Sequence, residues 1–295
     1  MTALELSSAE RKPPIDWAGY VFVAFFTIPF LAFNVAPLIF GAGLAFTKWG
    51  IFGRPQWIGL QNFSDMLHDE WVGIAFKNTA LYAVIIVPGV LVFGLACALY
   101  VHQRWPLAGL ARTLFFSPNV VSGTVIGLVW TWLLDTQYGL VNHYLGLIGI
   151  SAIPWLTSAQ WALFGVSIAS VWWDLGLAFV LFLAALQDLP KELYEAADVD
   201  GASRWQRLRL VILPQLRPVI SMVATLQMIS SLRIFTQVYV MTDGGPAGAT
   251  TSVVFYMYQA GIQRQFFGYA SAVAMSLFAL ILVMTFVMRR FVRER

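Results

Sequence analysis

Thirty-one consecutive residues, 17–47, carry no charged side chain. A helix needs about 20 apolar residues to cross the roughly 30 Å hydrocarbon core of a bilayer. This run is long enough, and Pro29, Asn34 and Pro37 inside it would tilt or kink it. Arg11 and Lys12 ahead of an apolar stretch also suit a secretory signal, but the stretch is far too long for one. It reads as an uncleaved first span. Five more apolar runs follow, at about 78–101, 113–134, 161–186, 216–240 and 266–288. Between the third and fourth, residues 135–160 are uncharged after Asp135, but Gly139, Asn142, Gly146, Gly149 and Pro154 break any long helix. A short re-entrant or interfacial segment is expected there.

The composition agrees with an all-α polytopic membrane protein. The chain has 295 residues, of which 59% are hydrophobic and 11% charged. Twelve Trp and ten Tyr suit interfacial belts in contact with lipid, with Trp49, Trp57 and Trp71 as anchors in the loop 48–77. A net charge of +3 invites a nucleic-acid reading, but the basic residues lie beside the apolar runs, where they report topology. Cys97 is the only cysteine, so neither an internal disulfide nor a paired-cysteine metal site is expected. No GxxxxGK[ST] or HExxH occurs, and His68, His102 and His143 stand in separate loops, so no catalytic, metal or cofactor site is expected.

Six spans place both ends on one side. With the ends inside, inner segments hold Arg11, Lys12, Arg104, Arg112, Lys191, Arg204, Arg207, Arg209, Arg217, Arg289, Arg290, Arg293 and Arg295. Outer segments hold only Lys48, Arg54, Lys77 and Arg264. The excess of basic residues puts both termini in the cytoplasm. The expected organisation is a cytoplasmic tail at 1–16, a six-span domain at 17–290 and a cytoplasmic tail at 291–295.

Ten of the 33 charged residues gather in one island, Asp188 to Pro218. Such a cluster belongs in water between two spans. Its grammar is two short helices with a bend. Asp188 would cap the first, Pro190 would sit in its first turn, and Glu192 and Glu195 would favour its positive end. Leu189, Leu193, Ala196 and Ala197 form an apolar stripe, Gly201 is a natural stop, and Ser203 with Gln206 forms a capping box. Pro214 and Pro218 would reorient the chain into the next span.

Glu195-Ala196-Ala197, Asp200-Gly201-Ala202, Ile212-Leu213-Pro214 and Pro218 resemble the EAA loop of binding-protein-dependent ABC importer permeases. The match extends over more than twenty positions with a fixed internal gap. The resemblance implies the type I importer permease fold with a cytoplasmic coupling loop at 188–215. That loop would dock into a cleft of an ATPase subunit through Glu195, Ala196, Ala197, Asp200, Gly201 and Pro214. Residues 235–261 and 267–272 look like the carbohydrate branch of that family, the first of two paired permeases. This implies a second permease subunit in a heterodimer, two ATP-binding ATPase subunits, an extracytoplasmic sugar-binding protein and a sugar substrate. It also implies a bacterial or archaeal plasma membrane, with ATP hydrolysis left to other chains. Gly244-Gly245-Pro246 reads as a plain surface turn outside the fifth span.

Within the spans, Gln227, Ser230, Arg233 and Gln237 fall within about 120° on a helical wheel. They could offer hydrogen bonds to sugar hydroxyls along a substrate pathway. Equally, they could be helix–helix glue, with Arg233 snorkelling to the interface. Asp174 in the fourth span is the obvious partner for Arg233. Glycerol-3-phosphate is an alternative substrate, and an ion-coupled secondary transporter a more distant alternative.

Overall fold

The computed structural model describes residues 17–51, 53–103 and 108–293. The expected tail at 1–16, Arg104 and Arg295 lie outside the described residues. The architecture is helical, with five helices long and apolar enough to cross a membrane, or six if one sharply bent pair is a span.

The first span comprises α1 (Trp17–Phe30), a π-helical turn (Leu31–Val35) and α2 (Ala36–Leu44). The π turn lies just ahead of Pro37, which has no N–H to donate and whose ring crowds the carbonyl four residues back. One extra residue in the turn absorbs both defects, and the helix continues. Only α2 packs on the rest of the chain; Phe22 and Phe25 are 80% and 86% exposed. That apolar surface suits hydrocarbon or another apolar helix.

A two-stranded hairpin, β1 (Thr47–Lys48) and β2 (Gln56–Trp57), leads into α3 (Gln61–His68) and α4 (Glu70–His102). The second span was expected from about 78; the helix begins eight residues earlier, because the Asp69 side chain accepts from Trp71 N–H and caps it. Its extra turns project beyond the apolar run.

The third span is not one helix. α5 (Ala108–Val120) and α6 (Gly123–Leu133) meet at 104°. Ser122 is extended (φ −56°, ψ 136°), and the Trp173 indole fixes the corner by donating to the Val121 carbonyl at 3.2 Å. No side chain fits at Gly123, where a Cβ would lie 2.8 Å from the Trp173 ring. In segment 135–160, the chain forms only α7 (Leu140–Leu147), tied by Asn142 to the Ile153 backbone and the Trp155 indole.

α8 (Ala162–Gln187) packs closely along α4, with Gly94 against Ala178 and Gly89 against Val171. The main core fills the space between α4, α8 and the later helix α11 (Leu213–Leu232), with Tyr82, Ile86, Phe179, Phe182, Leu216 and Val223 nearly or fully buried. After α8 come α9 (Lys191–Val199), α10 (Arg204–Gln206) and a second π-helical turn (Arg207–Ile212), directly ahead of Pro214. Pro214 and Pro218 were expected to reorient the chain, yet residues Arg204–Leu232 form one continuous helical rod. The π turn again accommodates the proline. Nor does Asp188 cap α9: it ends α8, with its N–H donating to Ala184, and Pro190 occupies the cap position without a side-chain bond.

The fifth helix also ends earlier than expected, at Leu232. Arg233 is its C-cap, and the chain restarts as α12 (Thr236–Met241). α13 (Val253–Tyr258), a third π turn (Gln259–Gln263) and α14 (Phe267–Arg293) complete the fold. A second core cluster joins α3, the start of α4, α13 and α14 through Met66, Val72, Val253, Tyr256 and Val273.

Candidate functional site: a docking helix and a polar track

The charged island folds as a braced, solvent-facing helix. α9 ends in a Schellman arrangement: Ala202 N–H donates to Ala197 and Gly201 N–H to Asp198. Gly201 adopts φ +69°, where L side chains are strained. Ser203 and Gln206 form the reciprocal capping box, at 2.8 and 3.3 Å, that restarts the helix. Arg207 then reaches back to Asp198 at 2.7 Å, which fixes the angle between the two helices.

Within the EAA segment, Ala197 is buried, while Glu195, Ala196, Asp200 and Gly201 are exposed. Pro214 is half-buried in the rod, a short way along from them. The Tyr194 ring has the His102 ring and the Arg207 guanidinium near it, each at 6.0 Å. Burial pushes the Tyr194 hydroxyl above its ordinary pKa, and the Arg207 charge opposes that shift. The arrangement offers a small, rigid surface with a carboxylate at its centre, clamped to the inner end of α4.

The polar track in the spans is not as the helical wheel placed it. The helix break after Leu232 removes Gln237 from the common face; Gln237 is buried on α12. Gln227 is also buried, and its Oε1 has no partner among the described residues. Ser230 and Arg233 are exposed. Asp174 forms no ion pair with Arg233 among the described residues; it lies near the Ser230 hydroxyl, across the contact of α8 with α11. Ser230 and Arg233 are therefore exposed and Asp174 half-buried, while the two glutamines lie inside the protein.

Beside that track is an aromatic group absent from the sequence-based expectations. Phe235 and Tyr239 stack at 5.6 Å and 11°, and Tyr258 meets both edge-on at 5.4 and 5.5 Å. The signal was present as i, i+4 and i, i+3 aromatic pairs on two short helices, but only the fold brings these helices together.

Two features at the end of the bundle opposite α9 were also missed. The turn at Gly244-Gly245-Pro246 is no surface turn: Thr250, Thr251 and Ser252 beside it are buried. Asn78 donates to the carbonyls of Gly248 and Thr251, Tyr82 donates to that of Thr250, and the Thr79 hydroxyl accepts from Val253 N–H. Near it, Asp69 accepts from the hydroxyls of both Tyr256 and Tyr269, which ties α4 to α13 and α14. Burial alone would raise the Asp69 pKa, but the two tyrosine bonds and the Trp71 and Val72 backbone outweigh it and hold it below the ordinary value.

Comparison with known proteins adds identity of a different kind. Residues 90–295 match the family model described as binding-protein-dependent transport system inner membrane component. The probable ABC transporter permease protein YesP of Bacillus subtilis (strain 168) is 34% identical over 294 residues, covering 97% of this chain and 93% of that protein. The sulfoquinovosyl glycerol transport system permease protein SmoG of Agrobacterium fabrum is 34% identical over 244 residues, covering 81% and 78%. A bacterial ABC transporter involved in the import of the acidic polysaccharide alginate shares the fold, with a TM-score of 0.83 over 95% of this chain and 96% of that one, at 24% identity.

Proposed function

The chain belongs to the family of binding-protein-dependent transport system inner membrane components, and from that premise we propose that it is one permease subunit of an ATP-driven sugar importer. It would pair with a second permease above two ATPase subunits, dock α9 into one of them, and receive sugar from an extracytoplasmic binding protein at the opposite end. Both termini would face the cytoplasm. The observation that carries this reading is α9 itself. It is an exposed helix presenting Glu195, Ala196, Asp200 and Gly201, braced by Arg207–Asp198 against the rod Arg204–Leu232 that ends at Arg233. A force applied at α9 therefore reaches the polar track without a flexible joint between Arg204 and Leu232.

The track suits a polyol. Asp174 and Ser230 offer an acceptor and a donor, and the Phe235–Tyr239–Tyr258 group offers flat apolar faces to a pyranose ring. Arg233 favours a second reading, an anionic substrate such as glycerol-3-phosphate or an acidic sugar. It is exposed and has no carboxylate partner among the described residues. An ion-coupled carrier would have no use for the α9 surface.

The test is ATP-dependent uptake in vesicles holding this chain with its companion permease, ATPase and binding protein. Uptake of a labelled sugar should require ATP and the binding protein. Glu195→Lys should abolish uptake and release the ATPase. Uptake driven by an ion gradient without ATP would overturn the reading.

A further inference from the structure

Between the inner ends of α4 and α8, the start of α5 and the underside of α9 lies a cavity of about 760 Å³. Part of its lining is apolar, from Val101, Leu186 and Leu189; the charged part comes from Arg112, Lys191 and the single carboxylate Glu195. Arg112 and Lys191 are exposed, and neither has an ion pair among the described residues. The Tyr194 ring completes the wall. Two cations without an ion pair, set against one carboxylate, leave the lining with a net positive charge that suits an anion.

We propose that this cavity binds a phosphate-bearing anion. Arg112 and Lys191 meet its charged oxygens, and the apolar lining takes the carbon chain attached to it. Basic pockets between spans on the cytoplasmic side bind anionic lipid headgroups, and a phospholipid supplies the phosphate and the apolar stem together. A free phosphate supplies only the first. The occupant would brace α9 against α4 and α5, because its contacts come from all three. Binding itself does not depend on the importer reading; only its effect on transport does.

The experiment is native mass spectrometry of the full chain in mild detergent, titrated with phosphatidylglycerol or with phosphatidylcholine of the same acyl chains. The wild type should retain one phosphatidylglycerol through detergent washing and no phosphatidylcholine. The double variant Arg112→Gln/Lys191→Gln should bind it about thirtyfold more weakly, the worth of two surface cation contacts. Arg289→Gln, a charge lost at the same end but outside the cavity, should change nothing. Inorganic phosphate serves as the second arm: if it displaces the lipid at equal concentration, the natural occupant is a soluble phosphate. Equal retention of both lipids, or unchanged binding in the double variant with a normal melting temperature, overturns the proposal. Uptake measured separately reports on coupling, so failure of the importer reading would leave this result standing.

Discussion

The side-chain amide of Asn78 lies 2.9 Å from the carbonyl of Gly248, a residue 170 positions further along the chain. Together with its bond to Thr251 it pins the 242–252 loop to α4. Gly248 has φ +78°, and a Cβ there would lie 2.5 Å from the Trp71 ring. Asn78→Ala should therefore cost about 1–3 kcal/mol by leaving two buried carbonyls unpaired. Gly248→Val should cost more, from strain and collision together. Thermal unfolding in detergent checks both; unchanged melting would mean the loop is held by something else.

At Gly201 the space is open and the backbone is not. Nothing lies within 4 Å of a Cβ there, yet φ is +69°. The cost of a side chain is then conformational, about 1–2 kcal/mol for an ordinary residue and less for Asn. Gly201→Val should loosen the angle between α9 and α10 and depress coupled uptake strongly. Gly201→Asn should retain most of it. ATPase pull-down alongside uptake separates docking from coupling; equal loss in both variants would point to a direct contact that requires the bare backbone.

In the polar track, exposure decides which substitutions affect substrate. Ser230→Ala and Tyr239→Leu should raise the KM for uptake, the former a few-fold to roughly tenfold for one lost hydrogen bond. Gln227→Ala, on a buried side chain, should lower melting temperature instead and leave KM unchanged. Arg233→Ala should be mild for a neutral sugar and severe for an anionic one. Wild-type KM in all the exposed variants would move the pathway elsewhere.

Much of the architecture was legible because hydrocarbon imposes a simple rule. Uncharged runs of sufficient length mark spans, and a cluster of ten charges marks water. The capping box at Ser203 and the stop at Gly201 were equally readable, since both are local. What was not legible depended on partners distant in sequence. Trp173 makes the corner at Gly123, Asn78 draws the Gly-rich loop inward, and the break at Arg233 moves Gln237 off its wheel. The prolines misled in the opposite direction, because a π turn absorbs their missing donor and leaves the rod unbroken.

Asp69 gives a pH signature at the end of the bundle opposite α9. Its pKa is held down in the folded state, so its contribution is fully present above its ordinary pKa of about 4 and fades as pH falls through the lower folded value. The melting temperature of the wild type should fall in that acid range, and Asp69→Asn should flatten the dependence while melting lower at pH 7. A wild-type profile with the same slope as the variant would remove Asp69 as its source.

Orientation has its own check in a Cys97→Ser background. Cysteine at Ser203 should react with an impermeant thiol reagent only after the cells are opened. Cysteine at Gln263, exposed beyond α13, should react from outside. The opposite pattern would invert the topology.

The unbroken helix from Arg204 to Leu232 has a mechanical consequence. Its 29 residues span roughly 40 Å at 1.5 Å per residue. As a lever of that length, it turns a tilt of about 5° at the capping box into a sweep of roughly 3–4 Å at the far end. That is about the width of a hydroxyl group and its hydrogen bond. A small angular change at the capping box is therefore enough to make or break a hydrogen bond at Ser230, near the far end of the rod.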